Sequence, residues 1–479
     1  MSSRPNLLFI LMDQMRGDCL SVLGHKGLDT PNMDHLAHQG VLFESAYSSC
    51  PSCVAARASI FTGLSPSNHG RLGYADQVAW NYDNMLPRVL GDAGYQTHCV
   101  GKTHFYPQRA HCGFHSLDSY EAGQNFDGLY VNDYREWLRE KTNGMMADFD
   151  HGVDSNSWNA RPSHLPEELH NNTWVVTKGI EFLKRRDKTR PFFLNLSFHR
   201  PHPPIDPPKV FWDMYRDRGV PPVPVGDWAH IHDVPIDDVN AWHGRLPDHL
   251  LQQARRGYFA QIAHIDSQIG RIVRALQDFK VGPTAIIVTS DHGEMLGDHN
   301  LFRKTYAYEG SAKVPLIVSC PGTEKGLRCG APVVLEDIYP TFLELGQAEA
   351  PGDIDGQSLL PFCTGPDNAP RREFVHGEHT ECYARDESMQ FITDGNEKYI
   401  WFPPSGREQL FDLANDPGEC HDLAHAAGHE QRLERWRSRM VEVLSKRPQD
   451  GLTDGKKLLP GTVLPSVRKE IREGASRAG

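Results

Sequence analysis

Leu7-Leu8-Phe9-Ile10-Leu11-Met12-Asp13-Gln14 decides how the chain of 479 residues is read. An unbroken apolar run of strand length fits a parallel strand covered on both faces, since a strand with one wet face would alternate. The run stops at a carboxylate. Three further runs behave in the same way: Tyr95 to Val100 delivers Gly101-Lys102-Thr103-His104, Pro191 to Phe198 delivers His199-Arg200-Pro201-His202, and Thr284 to Ser290 delivers Asp291-His292-Gly293-Glu294. Helical patterns lie between them at Thr30 to Ala37, Asn84 to Ala93 before Gly94, Trp174 to Arg185 and Leu250 to Phe279. Alternation of this kind predicts an α/β fold, a mostly parallel sheet flanked by helices, whose functional edge lies at the carboxyl ends of the strands. Singly, each terminal residue has an ordinary reading: Asp13 as a helix cap, Lys102 as a solvated charge, His202 as a packed loop residue, Asp291 as half of a surface pair. Four such coincidences at one edge are much harder to accept.

A nucleophile candidate stands outside these runs. In Cys53-Val54-Ala55-Ala56-Arg57 a thiol is followed four residues later by an arginine, ahead of a helix-compatible stretch ending at Thr62-Gly63. That places a nucleophile precursor beside fixed positive charge and free helix N–H groups, an arrangement suited to attack on an anion, although an intracellular cysteine is more often a small buried hydrophobe. A formal net charge of −12 excludes non-specific binding to nucleic acid or to acidic membranes, so any anion handled here must meet local cations. No apolar run is long enough to span a bilayer, and the start of the sequence has no leader pattern, which predicts a cytoplasmic protein without membrane contact. Ten cysteines in so long a chain fit reduced thiols, with Cys50 and Cys53 close enough to raise the question of a pair.

Two regions read differently. From Glu121 to His170 the sequence is polar and without period, an excursion that either shapes a pocket or simply loops out. From Glu381 the short strands Met389 to Thr393, Lys398 to Phe402 and Gln409 to Leu413, with a helix from Glu430 to Leu444, predict a small antiparallel sheet packed by one helix. The chain is therefore divided into a catalytic domain, 1–380, and a C-terminal subdomain with tail, 381–479. Beyond Lys446 the polar tail is expected to be disordered or to dock on a neighbouring subunit, and exchange of tails would favour a homo-oligomer.

The chain resembles the formylglycine-dependent sulfatases of the alkaline phosphatase superfamily. Cys53 to Arg57 with Thr62-Gly63, Asn6 to Asp13, Gly101 to His104, Pro201-His202-Pro203, Ser290 to Gly293, Lys304 with Tyr308-Glu309, and the closing Gln409 to Leu413 with Asp416 to Glu419 carry the resemblance. It implies an alkaline-phosphatase-like fold and conversion of Cys53 to formylglycine by a formylglycine-generating enzyme. It further implies one divalent cation held by Asp13, Gln14, Asp291, His292 and the oxygen of residue 53. Arg57, Lys102 and Lys304 would offset sulfate charge, His202 would meet the sulfate or protonate the departing alcohol, and His104 would take a proton from the hydrated aldehyde. Gln at 14 and His at 292, where many members have Asp and Asn, resemble the choline sulfatase and phosphonate monoester hydrolase branches. Calcium is favoured, and the imidazole makes manganese the alternative. Ala55 stands where proline is usual. Hydrolysis of a small or carbohydrate sulfate ester is expected, with phosphonate monoester or phosphodiester hydrolysis as the alternative; a catalytically silent binding protein fits less well, because cysteine, arginine, carboxylates and lysines are all kept.

Overall fold

The computed structural model describes residues 4–122, 128, 130–236, 238–365 and 369–476. Fourteen strands are described: β1 (Asn6–Asp13), β2 (Val41–Phe43), β3 (Ala46–Tyr47), β4 (Gln96–Gly101), β5 (Ser116–Ser119), β6 (Phe192–Pro201), β7 (Thr284–Ser290), β8 (Leu316–Ser319), β9 (Leu327–Cys329), β10 (Val333–Val334), β11 (Val375–His379), β12 (Met389–Thr393), β13 (Glu397–Phe402) and β14 (Arg407–Asp412). Eight of them form one sheet in the order β5-β4-β6-β1-β7-β8-β2-β9. Its pairings are parallel from β5 to β7 and again between β2 and β9; only β8 runs against the rest.

The opening apolar run is the central strand of that sheet. Leu8, Ile10 and Met12 face one layer, packed by the helices Pro31–Gln39, Asn171–Arg185 and Asp248–Asp278. Leu7, Phe9 and Leu11 face the other, packed by the helices Cys53–Thr62, Leu86–Asp92 and Ile338–Gly346. Both faces are dry, which is why the run does not alternate.

The second sheet, β11-β12-β13-β14, is antiparallel and carries the helix Glu430–Ser445 through Trp436, Met440 and Leu444 against Tyr399, Trp401 and Leu410. It is fixed to the first layer by Lys398, fully buried, whose Nζ lies 2.7 Å from Glu309, 2.9 Å from Glu419 and 2.8 Å from the Ala307 carbonyl.

The segment after Lys446 corrects one expectation: it lies on its own chain. Arg447 forks onto Glu378 at 2.5 and 2.8 Å, the Leu72 N–H donates to the Ser466 carbonyl, and the Arg468 N–H donates to that of Gly70, both within 2.9 Å. Val467 and Leu452 are buried under it. Backbone bonds and isolated anchors hold this segment, so it has no periodic apolar signal to read. Residues 477–479 lie outside the described residues. Among the described residues no helix is long and apolar enough to cross a membrane.

Candidate functional site

The carboxyl edge of the large sheet assembles the site. β1 and β7 end side by side, and the Asp291 N–H bonds the Met12 carbonyl, so Asp13 and Asp291 leave the sheet together. Gln14 then turns sharply with φ of 73°, which aims its own N–H at Asp291 Oδ1, 3.1 Å away. On the other side of β1, the register with β6 slips between Leu11 and Asp13, and the His202 N–H bonds the Asp13 carbonyl at 3.0 Å. β4 delivers Lys102 next to them. Gly101, at φ of 103°, makes that possible: a Cβ there would lie 2.0 Å from the Ser197 carbonyl oxygen.

Cys53 begins a ten-residue helix that is buried along its whole length and ends at Gly63, in the left-handed region with Tyr339 packed where a side chain would go. Its Sγ is 3.1 Å from His292 Nε2 and 3.6 Å from Asp13 Oδ1. Arg57, one turn further on and fully buried, lies 2.9 Å from Asp291 Oδ2 and 3.5 Å from Asp13 Oδ2, and donates to Ser197 Oγ and the Lys102 carbonyl. It therefore acts from behind the carboxylates, away from the pocket wall. Lys102 Nζ pairs with Asp13, while Lys304 Nζ donates to Gln14 Oε1 and to His202 Nε2, each at 2.8 Å. All ten residues singled out in the sequence meet here. The Gln14 side chain is taken up by Lys304 and Glu294, as that of Asp13 is by Lys102 and Arg57.

The charges explain the protonation states. Burial pushes Asp13 up, but Lys102, His202, His292 and Arg57 hold it well below the usual carboxylate range. Burial lowers His202, and Lys304 lowers it further. His292 is lowered by burial against the pull of Asp291. Burial opposes charge on His104 too, yet hydrogen bonds with Asp76 and Cys53 raise it to about 9.

One oxygen or nitrogen from each of Asp13, Asp291 and His292 and the Cys53 sulfur lie within 4.8 Å of one another. Two carboxylates and one imidazole suit a divalent cation, and the imidazole is set for it. Nδ1–H of His292 donates to the Gly293 carbonyl at 2.9 Å, which leaves Nε2 as the lone pair facing the carboxylates. Sγ stands where an oxygen of a converted residue 53 would be.

Around this point opens a pocket of about 410 Å³, lined by Cys53, Lys102, His104, His202 and Lys304. Tyr74, Asp76, Ser155, Asn156, Arg303 and Tyr383, which sequence reasoning did not single out, complete much of its wall. Asn156 comes from the polar excursion and Tyr383 from the C-terminal region, so both regions shape the pocket. Asp76 sits in an irregular stretch after Gly70, where no strand end advertises it. A larger cleft of about 550 Å³, between Ser65 to Asn68 and Lys446 to Gln449, holds none of the expected site residues.

Residues 5–348 match the model of the sulfatase family, and 297–446 that of the N-sulphoglucosamine sulphohydrolase C-terminal region. With the sheet and its anion pocket, this defines a hydrolase of alkaline-phosphatase-like fold. The phosphonate monoester hydrolase of Agrobacterium radiobacter superposes with a TM-score of 0.78 at 25% identity, covering 96% of this chain and all of that one. The arylsulfatase of Clostridium perfringens is 42% identical over 98% of this chain and 100% of its own length. The choline-sulfatase of Rhizobium meliloti is 30% identical over 88% of this chain and 83% of its own. The chain belongs to the sulfatase family and is a sulfuric ester hydrolase.

Proposed function

We propose that the chain hydrolyses the sulfate ester of a small molecule or saccharide through a formylglycine made from Cys53 by a formylglycine-generating enzyme. A divalent cation, calcium before manganese, is held by Asp13, Gln14, Asp291, His292 and residue 53. The observation that carries this reading is the convergence of the Cys53 sulfur, two carboxylates and His292 on one point that Lys102 and Lys304 border.

When bound, the cation supplies positive charge beside the sulfate oxygens, and the converted residue supplies an oxygen nucleophile. The chain does the rest. Lys102 and Lys304 offset the negative charge that repels a nucleophile from a sulfate ester. Arg57 holds Asp13 and Asp291 in place beneath residue 53. His202 has Nδ1–H fixed on the Pro203 carbonyl and Nε2 accepting from the Lys304 ammonium, so the proton that reaches the departing oxygen starts on Lys304, which His202 orients. His104, in its neutral form, takes a proton from residue 53.

Hydrolysis of phosphonate monoesters or phosphodiesters is the second reading, favoured by the likeness to a phosphonate monoester hydrolase. Both anions are tetrahedral and use the same cations. Intact mass and a peptide map across Cys53, with kcat/KM for aryl sulfates and phosphonate monoesters side by side, test both. Aldehyde at residue 53, loss of turnover in Cys53→Ala and retention of most of it in Cys50→Ala are expected. Full activity with an unmodified thiol would defeat the mechanism, and a large preference for phosphonates would move the substrate class to the second reading.

A further inference from the structure

His104 is held from three sides. Its N–H, with the Thr103 N–H and hydroxyl, donates to Glu121 Oε1 at 2.7 to 2.9 Å, which fixes the backbone in a left-handed turn of φ 61°. Its ring Nε2 lies 2.8 Å from Asp76 Oδ1, and the other oxygen of that carboxylate accepts from the Tyr74 hydroxyl at 2.5 Å. The Tyr74 ring meets the His104 ring edge to face at 6.0 Å. All three side chains line the pocket with Cys53, and His104 shares a hydrogen bond with Cys53.

We infer that Asp76 is the positioning residue of His104, and that Tyr74 in turn fixes Asp76. A carboxylate can only accept, so it fixes the proton of His104 on Nε2 and presents the Nδ1 lone pair to residue 53, the orientation a base needs there. An amide at position 76 loses this selection, because its NH₂ can donate to Nε2 and drive the proton to Nδ1. Asp-to-Asn changes at an oriented histidine lower turnover by about 10⁴ through the wrong tautomer while geometry is kept. The inference rests on the proposed role of His104 at residue 53, but its structural half can be tested without turnover.

The experiment compares wild type, Asp76→Asn, Asp76→Glu and Tyr74→Phe. Histidine-labelled ¹⁵N spectra are recorded on the unmodified chain, the His104 signal being identified by its loss in His104→Gln. Kinetics on an aryl sulfate follow with protein carrying the aldehyde. In spectra taken above the His104 titration at about 9, where the ring is neutral, wild type should show the Nε2–H tautomer and Asp76→Asn a shift to Nδ1–H, with kcat reduced about 10²- to 10⁴-fold and KM within about threefold. Tyr74→Phe should lower kcat by less than about tenfold and keep the tautomer. Asp76→Glu, which keeps the acceptor, should retain the Nε2–H tautomer and recover part of kcat, and it serves as the test should the amide variant not fold. An unchanged tautomer in Asp76→Asn, or a rise in KM matching the fall in kcat, would overturn the inference. A tautomer shift in a protein that hydrolyses no sulfate ester would leave the positioning intact and overturn the proposed reaction.

Discussion

Asp13 faces Lys102, Arg57, the Cys53 sulfur and His292 at once, so its loss strips charge balance and metal ligation together. Asp13→Asn and Asp291→Ala should lose the bound divalent ion, as read by metal analysis of the purified protein. Turnover of an aryl sulfate should fall by more than the roughly 10- to 100-fold that outer-shell changes cost. Lys304→Met removes the donor to His202 and Gln14 and one cation of the pocket; kcat/KM should fall about 10²- to 10³-fold, with a melting temperature close to wild type. Asp13 and Asp291 were legible because a parallel sheet sends whatever follows its strands to one edge, whereas Lys304 follows no strand and was marked only by the family resemblance. Asp76 and Tyr74 were not, since they stand in a loop whose sequence has no period. Arg57 was legible as the companion of Cys53, but a spacing of one helical turn does not say that the guanidinium points down onto Asp291.

At the scale of elements, apolar continuity marked β1, β6 and β7 within three residues of their observed ends, because both of their faces are dry, while β4, with Gln96, Thr97 and His98, was legible from its place after the helical pattern that ends at Gly94. β11 went unread: Val375-His376-Gly377-Glu378-His379 is mostly polar, and its buried Glu378 is tolerated only because Arg447, 69 positions away, forks onto it. The helix Asp133–Lys141 hid inside the polar excursion for a related reason, burying only Tyr134 and Leu138 among charged neighbours. The end of the β4–β6 pairing, where Gly101 lies opposite Ser197, has no spare room, and it gives a sharp test. Gly101→Ala would need the strands to part beside Lys102 and Ser197, with a strained positive φ as well. A loss of about 1–3 kcal/mol from strain alone, with further loss from the clash, should appear in chemical denaturation together with reduced turnover.

Across the whole molecule, the two sheets depend on buried charge. Lys398→Met leaves Glu419 without its cation and Glu309 with Lys313 alone, and should cost about 3–5 kcal/mol in denaturant unfolding while slackening the segment that carries Lys304. The Glu378–Arg447 pair makes a pH test. Burial pushes Glu378 up, but Arg447 brings it down to about 2 from an ordinary 4.5, so the pair stabilises fully above pH 4.5 and progressively less as pH falls toward 2. Arg447→Met should therefore be clearly less stable than wild type at pH 7, and the gap should narrow in melts between pH 4.5 and 3. The last segment of chain, bonded to Gly70 and Leu72 a few residues past the helix that Cys53 begins, also sets an order of events in time. Residue 53 is joined to the chain more than four hundred residues before Arg468, and at about 5–20 residues per second that interval lasts roughly 20 to 90 s. Only after it can Ser466 and Arg468 close over the finished fold, in which Cys53 is 1% exposed. If residue 53 is converted as proposed, a maturing enzyme that must surround it has its opportunity while the chain is still growing, and slowing or speeding translation should change the fraction converted.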